Sequence, residues 1–375
     1  GGGRARARRA RKARERSERV RACNARATPQ SGFCREWGRT MWEKLKATGK
    51  PILLYGMGDG AEKIAAELKK REIPIAGVFA SEGFTRGQEF MGCPVTDYRT
   101  ARERYGEMVV LVCFGTHRPE VMAQIEKLAG EQELYAPDVP VAGEEIFTRE
   151  YAKAHREELE RVYGLLADDH SRKVLRDVVE YKLTGDIKLL RGCESEPREA
   201  WENILRPGRE EHYMDLGAYT GDTIAEFIGY SGEWRRITAL EPDPVTFAKL
   251  ERNTACLLYT SPSPYARLPF AGGAGRGSHL AAGGAMTELD SVDNILCGQT
   301  VSLINMDVEG MEAEAIAGMA KTLRRHRPNL LIAGYHRSED LWRLPLEVLA
   351  IQPEYKVYVR HYPCLPAWDV NFYFV

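Results

Sequence analysis

Short apolar runs alternate with amphipathic segments along most of the chain. In the first third, strands are predicted at Pro51–Tyr55, Ile75–Ala80 and Met108–Gly115, with a short strand near Val95 and a helix at Ala61–Arg71. Because strands and helices alternate with short links, these strands are expected to form a parallel sheet. Residues 41–144 are therefore predicted to be a small Rossmann-like α/β domain.

A charged helical segment follows at residues 145–210. Apolar residues recur there at helical spacing, namely Leu159, Val162, Leu166, Val174 and Val178. This pattern predicts two or three helices that connect two domains, and Pro207-Gly208 is expected to end them.

The strand–helix alternation resumes at residues 211–375. Strands are predicted at His212–Leu216, Arg236–Leu240, Val301–Asp307 and Asn329–Gly334, and helices at Pro244–Asn253 and Gly310–Arg325. The last two strands, Tyr355–His361 and Val370–Val375, are joined by a loop too short for a helical crossover. They are therefore expected to be antiparallel, which predicts an open parallel sheet that ends in an antiparallel hairpin.

One stretch of this second α/β pattern is irregular. A third strand and its helix should lie between Asn253 and Val301, but Cys256–Pro264 reads as translated adapter sequence and the glycine-rich run Leu268–Met286 follows it. Native sequence is therefore expected to be missing in this part of the chain.

Charge is distributed unevenly over the 375 residues. The first 40 carry 13 Lys/Arg and 3 Asp/Glu, whereas the rest carries 40 and 51. Residues 1–40 are predicted to be a basic disordered tail or non-native sequence, and the acidic remainder argues against nucleic-acid binding by the folded part. The eight cysteines show no CxxC pair, which predicts reduced thiols and a cytoplasmic location. No apolar run is long enough for a bilayer, and no membrane association is expected.

The sequence YMDLGAYTGDT, from Tyr213 to Thr223, places an acid and a glycine turn after the first strand of the second pattern. A dinucleotide site would need a glycine where Tyr219 stands, because the backbone must approach a pyrophosphate. A cofactor without phosphate needs only the close turn at Gly217 and Gly221. The Asp215 carboxylate could hold an ammonium group, directly or through water, and Glu241 at the end of the next strand could accept both ribose hydroxyls. This pattern predicts a nucleoside site and argues against NADP.

Further acids follow the predicted strand Val301–Asp307. Asp307 and Glu309 fall at the carboxyl end of a central strand, where ligands bind in such sheets. His336 follows the next strand and is expected at the same edge, as a general base, as a structural residue or as part of a metal site with Asp307 and another ligand. No close ligand spacing supports a metal, and none is predicted. Glu312 reads as a helix N-terminal acid that favours the helix dipole, and His361 as a structural residue.

Together the segments DLGAYTGDT, LEPD and MDVEGMEAEAIAG, the Tyr-His after strand Asn329–Gly334 and the Arg-His-Tyr near the last strand resemble the FkbM-type methyltransferases. The resemblance covers about residues 211–375 and implies a class I methyltransferase fold that uses S-adenosylmethionine. It also implies methyl transfer to oxygen on a small-molecule acceptor, with saccharides and natural products among the candidates. The oligomeric state cannot be read from the sequence.

The resemblance assigns roles to individual residues. It implies cofactor contacts from Asp215, Gly217, Gly221 and Glu241, and it matches Asp307 and Glu309 to the family's acids after the fourth strand. The neighbouring Ala218, Tyr219 and Pro242 are predicted to contact the cofactor as well, and the predicted catalytic residues are Asp307, Glu309 and His336. Asn305 departs from the family, which usually has lysine at this position, and the disrupted segment Cys256–Pro264 falls where adenine is normally contacted.

Two other functions stay open at this point. The turn Gly56–Gly60 after the first strand could cradle NAD(P) or a nucleotide sugar, which would make the protein an oxidoreductase or epimerase. Alternatively, the second domain is degenerate and the chain is a non-catalytic binding protein.

Overall fold

The computed structural model describes residues 33, 37–81, 83–255 and 290–375, which contain two six-stranded sheets. Most of the predicted basic tail, the segment Cys256–Pro264 and the glycine-rich run lie outside these residues. Within them, no helix combines the length and apolar character needed to cross a bilayer. No disulfide bond joins any of the five described cysteines, Cys93, Cys113, Cys193, Cys297 and Cys364.

The first sheet has the strand order β3-β4-β2-β1-β5-β6. Its strands are β1 Ile52–Tyr55, β2 Gly77–Phe79, β3 Glu89–Phe90, β4 Cys93–Thr96, β5 Val109–Val112 and β6 Glu133–Tyr135. All neighbours pair in parallel except β3 and β4. Helices Met41–Ala47, Asp59–Lys70, Tyr98–Tyr105 and Pro119–Glu131 accompany these strands.

The central strand β1 explains why this sheet has helices on both faces. All four of its residues are buried, with Leu53 and Tyr55 in one apolar cluster and Ile52 and Leu54 in another. A strand that is apolar on both faces must be shielded from water on each face by packed helices. The short β3 and β6 were not predicted from the sequence.

The connecting segment contains more elements than the two or three helices predicted. They are Arg149–Ala154, Arg156–Leu165, Asp169–Thr184, Ile187–Gly192, the short turn Pro197–Glu199 and the π-helical segment Ala200–Leu205. The prediction was wrong because local signals divide one periodic pattern. Gly185 adopts a left-handed conformation and ends the long helix, and the Asp186 side chain then caps the next one.

The second sheet has the order β11-β12-β10-β9-β7-β8. Its strands are β7 His212–Leu216, β8 Arg236–Leu240, β9 Leu303–Met306, β10 Asn329–Ala333, β11 Val357–His361 and β12 Val370–Phe374. Strands β7 to β10 pair in parallel, whereas β12 runs antiparallel between β10 and β11. The predicted fold class, including the terminal antiparallel hairpin, is confirmed.

Six helices accompany the second sheet within the described residues. They are Asp222–Ser231, Pro244–Thr254, Val292–Leu296, Glu312–Gly318, Ala320–His326 and Asp340–Ile351. The single helix predicted at Gly310–Arg325 is thus two helices that meet at Met319. The Asp293 carboxylate accepts hydrogen bonds from the backbone N–H groups of Lys321 and Thr322, which caps the second helix from outside it.

Candidate active site

The turn after β7 contacts the end of β9 directly. Gly217 has a φ of 88°, and a Cβ atom at this position would overlap the carbonyl oxygen of Asp307. The backbone N–H groups of Gly217 and Ala218 donate to the carbonyl of Leu240 at 2.9 and 3.0 Å. Only glycine combines this backbone conformation with this close approach, so the predicted nucleoside turn and the predicted acids share one sheet edge.

The Asp215 carboxylate is fully buried and accepts three hydrogen bonds from side chains. Thr223 donates at 2.5 Å, Asn305 at 2.8 Å and Tyr213 at 3.3 Å. Burial raises the pKa of Asp215 to about 6. The carboxylate therefore ties the helix after the turn to β9, and its surface is closed to direct contact with a ligand. Asn305, where the family usually has lysine, faces this carboxylate.

Glu241 closes the other side of the turn. Its two carboxylate oxygens accept hydrogen bonds from the backbone N–H groups of Tyr219 and Asp243, both at 2.9 Å. Burial raises the pKa of Glu241, although the two N–H groups act in the opposite direction. Each carboxylate oxygen can accept a second hydrogen bond, so the residue can contact a ligand while it holds the turn.

The remaining predicted cofactor residues surround this turn. Ala218 is fully buried, and Pro242 is half-buried beside Glu241. Tyr219 has a φ of 43°, which is unusual for a residue with a side chain. A Cβ at Gly221 would lie 2.8 Å from Thr254, so this position also needs glycine. The structure thus brings all seven predicted cofactor residues together around the carboxyl ends of β7 and β8.

Asp307 is the most accessible of the predicted catalytic residues. Its side chain is 42% exposed, and Oδ2 accepts a hydrogen bond from the Tyr335 hydroxyl at 3.2 Å. Burial of the carboxylate oxygens raises the pKa of Asp307 to about 6, with Glu309 and Glu312 acting in the same direction and His336 against them. Glu309, 32% exposed, has a φ of 53°. Left-handed backbone at a residue with a side chain is characteristic of functional sites.

His336 lies fully buried behind these two acids. Its Nε2 atom is 3.3 Å from Asp307 Oδ1 and 3.4 Å from Glu309 Oε2, and its Nδ1 atom is 3.0 Å from Glu312 Oε1. Burial alone would lower the pKa of His336, but Glu309, Glu312 and Asp307 together raise it well above its ordinary value. All three predicted catalytic residues therefore meet at one point.

Several residues of this site were missed or misread from the sequence. Glu312 has an exposed fraction of 1%, and its Oε1 accepts hydrogen bonds from the N–H groups of Val308 and Gly310. Burial would raise the pKa of Glu312, but His336 and these N–H groups hold it below the ordinary value. Asp340 is also buried, and burial raises its pKa to about 7. The sequence offered one indication that Glu312 belongs to this site, which is that it lies only three residues after Glu309.

His361, in contrast, contributes to the fold. It is fully buried, and its Nδ1 donates to the backbone carbonyl of Asp369 at 3.3 Å. Burial lowers the pKa of His361 to about 4, so the imidazole is neutral at physiological pH. This agrees with the structural role predicted for it.

The loops at the carboxyl ends of the first sheet's strands contact the β11–β12 loop of the second sheet. Thr116, after β5, exchanges backbone hydrogen bonds with Leu365 in the β11–β12 loop. Nearby, Trp368 from the same loop packs against Gly115, and Ala142 donates its backbone N–H to the carbonyl of His336 at 2.9 Å. The carboxyl ends of the strands in both sheets thus lie close to the candidate site.

Comparisons with known proteins agree with this geometry. Residues 215–358 match the family model for the Methyltransferase FkbM domain. The crystal structure of Methyltransferase FkbM from Methylobacillus flagellatus KT has a TM-score of 0.66 at 20% identity, over 95% of this chain and 99% of that chain. No curated protein matches the chain.

Two further solved structures align with about half of this chain. Precorrin-6y C5,15-methyltransferase from Geobacter metallireducens GS-15 has 13% identity and a TM-score of 0.32, over 45% of this chain and 81% of that chain. Fibrillarin from Aeropyrum pernix, in complex with natively bound S-adenosyl-L-methionine, has 15% identity and a TM-score of 0.31, over 48% of this chain and 71% of that chain. The family match therefore identifies residues 215–358, which lie on a sheet of this topology, as an FkbM methyltransferase domain.

Proposed function

We propose that the protein transfers a methyl group from S-adenosylmethionine to a hydroxyl oxygen of a small-molecule acceptor. The observation that carries this proposal is the contact of Gly217 with Asp307. It brings the nucleoside turn and the acidic group to the same sheet edge, so a methyl donor bound at the turn would lie beside the acids. In-line methyl transfer depends mainly on holding donor and acceptor at short distance.

The cofactor is proposed to bind over the turn between β7 and β8. Glu241 would accept hydrogen bonds from the ribose hydroxyls with the lone pairs that Tyr219 and Asp243 leave free. Gly217 and Gly221 would let the backbone approach the methionyl part. Asp215 would act through Thr223 and Asn305, because its carboxylate is enclosed.

Asp307 is proposed to receive the acceptor proton. The acceptor oxygen would form a bond to the methyl carbon, the bond from that carbon to sulfur would break, and the sulfonium would become a thioether. Asp307 is exposed enough to contact an acceptor, whereas His336 is fully buried. His336 is therefore proposed to position Asp307 and Glu309 rather than to act as the base itself.

The first sheet is proposed to contribute to acceptor recognition. Trp368 lies between the two sheet edges, and its indole N–H is buried without a hydrogen-bond partner. An acceptor hydroxyl could fill that role, which suits a hydroxyl-rich molecule such as a saccharide. The helix after the Gly56–Gly60 turn carries Asp59 and Glu62 in its first turn. Negative charge there opposes a pyrophosphate, so this turn does not favour a dinucleotide site.

Titration calorimetry with S-adenosylmethionine tests the cofactor site. We expect Glu241→Ala to weaken binding at least tenfold, about 1.4 kcal/mol, because hydrogen bonds to a charged group contribute about 1.5–3 kcal/mol. Glu354→Ala is the matched control: this residue is exposed and lies before β11, at the opposite end of the strands.

Binding by Glu241→Ala as tight as that of the wild type would refute the site. If the folded wild-type chain binds no S-adenosylmethionine, the non-catalytic alternative is supported instead. A titration with NADH, in which no binding is expected, separates both outcomes from the oxidoreductase alternative.

A further inference from the structure

The acids around His336 outnumber the cations that face them. Asp307, Glu309 and Glu312 lie within 3.4 Å of its ring nitrogens, and a further buried acid, Asp340, follows four residues after His336 in the chain. Arg337 is next in the chain, but its Nε donates to the backbone carbonyl of Gly310. Several carboxylates thus share one imidazole, and burying unbalanced charge is costly.

The same group holds polar atoms without hydrogen bonds. Neither ring nitrogen of His336 has a hydrogen-bond partner, and the same is true of Oδ1 of Asp307 and Oε2 of Glu312. The nitrogen–oxygen separations are short, but the atoms do not meet in hydrogen-bonding directions. Buried polar atoms are nearly always satisfied, and these four atoms have the capacity to bind one common partner.

We propose that Asp307, Glu312 and His336 bind a divalent metal cation. One ligand atom from each residue lies within 4.8 Å of the others. Three atoms no more than 4.8 Å apart lie no more than about 2.8 Å from a common centre, so small side-chain movements give ordinary metal–ligand bonds of about 2.1–2.5 Å. Glu309 stands beside the group as a third carboxylate.

The donor set indicates the class of cation. Two carboxylates and one imidazole combine the oxygen ligands that suit Mg²⁺ and Mn²⁺ with a nitrogen ligand that suits transition metals. Mn²⁺ accepts both kinds of ligand, and it is paramagnetic. It is therefore the probe that we choose.

A cation here would also define how the acceptor binds, and this consequence rests on the proposed methyl transfer. The cation would coordinate the acceptor hydroxyl and lower its pKa, as metals do for bound water. With Asp307 engaged as a ligand of the cation, the hydroxyl proton would pass to Glu309 in its place. The oxygen would bond to the methyl carbon, and the carbon–sulfur bond would break. Acceptors with two adjacent oxygens, such as vicinal diols, would be preferred because both oxygens can coordinate.

Mn²⁺ binding to the full chain, without S-adenosylmethionine, tests the proposal. Electron paramagnetic resonance, which detects free Mn²⁺, is expected to show one binding site per chain. His336→Gln and Glu312→Gln are each expected to weaken the affinity for Mn²⁺ at least tenfold. Glu314→Gln is the matched control, because Glu314 lies exposed on the same short helix. It should leave the affinity unchanged.

The proposal is overturned if the wild type binds no Mn²⁺ at millimolar concentration, or if both folded variants bind it as tightly as the wild type. If the variants do not fold, proton NMR of the wild type decides the question: Mn²⁺ must broaden the His336 ring signals, and unbroadened signals refute the site. Calorimetry with S-adenosylmethionine in metal-free buffer reports on the proposed function separately.

Discussion

At the scale of single residues, Asp215 shows that a short motif predicts where a residue lies but not which side chains surround it. Its position near the end of β7 follows from the sequence, and the predicted nucleoside turn begins two residues later. Its partners Thr223 and Asn305 enclose the carboxylate completely. The residue therefore holds two elements together. Its buried charge lowers the free energy of unfolding by an amount that depends on pH.

Replacing Asp215 with asparagine should stabilise the protein at neutral pH. Burial raises the pKa of Asp215 in the folded state from 3.8 to about 6, so the wild type loses stability as the pH rises through that window. At pH 7.5 we expect Asp215→Asn to be more stable by up to about 3 kcal/mol, and the difference should vanish below about pH 4. Denaturant unfolding without cofactor, across this pH range, measures it.

Asp97→Asn is the control, because the pKa of Asp97 is shifted in the opposite direction to that of Asp215. A hydrogen bond from the Thr100 backbone N–H lowers the pKa of Asp97, so its charged form is the favoured one in the fold. That variant should gain nothing at neutral pH. A stability difference for Asp215→Asn that does not change with pH would contradict the argument.

At the scale of elements, the β7 turn and the end of β9 form one unit. Gly217 is the point of contact, and its backbone conformation and its lack of a side chain are both required. By the same contact, the turn after β7 fixes the position of the acids that follow β9. A change at this glycine should therefore damage stability and binding together.

Gly217→Ala is expected to destabilise the protein by more than about 3 kcal/mol and to abolish S-adenosylmethionine binding, because the Asp307 backbone must move. Gly232→Ala is the matched control: Gly232 also has a positive φ, of 71°, but nothing lies within 4 Å of the added Cβ. We expect a cost of about 1–2 kcal/mol there, from backbone strain alone. Equal costs in urea unfolding would show that the contact with Asp307 is unimportant.

At the scale of the whole molecule, the helix Asp169–Thr184 links the two sheets. Lys182 forms a buried ion pair with Asp138, which follows β6, at 2.9 Å. At the other end, the Ser171 hydroxyl accepts a hydrogen bond from the backbone N–H of Val359 in β11, and Arg360 pairs with the capping Asp168. The two sheets should therefore unfold together.

Lys182→Met is expected to cost about 3–5 kcal/mol, since it leaves the Asp138 charge buried and unpaired. Adding Asp138→Asn should recover more than half of that loss. Lys188→Met, at an exposed position of the next helix, should be neutral. Urea unfolding followed by tryptophan fluorescence measures all of these variants, and a double variant no more stable than Lys182→Met would contradict the ion-pair argument.

The sequence by itself determined the class of fold and the sheet edge at which the candidate site lies. Alternating apolar and amphipathic segments, the glycine turn at Gly217 and the short final loop are local patterns, and local patterns set secondary structure and strand direction. The acids after β9 and His336 after β10 could be placed at one edge because parallel strands end together.

Only the tertiary structure decided what these residues contact. Glu312 reads as a helix-end acid, but it is buried against His336, and the Gly310–Arg325 pattern divides because Asp293 caps its second half from outside. The enclosure of Asp215, the shortage of cations around His336 and the contact between the two sheet edges likewise join residues far apart in the chain. Such contacts depend on how whole elements pack, and no local sequence pattern encodes them.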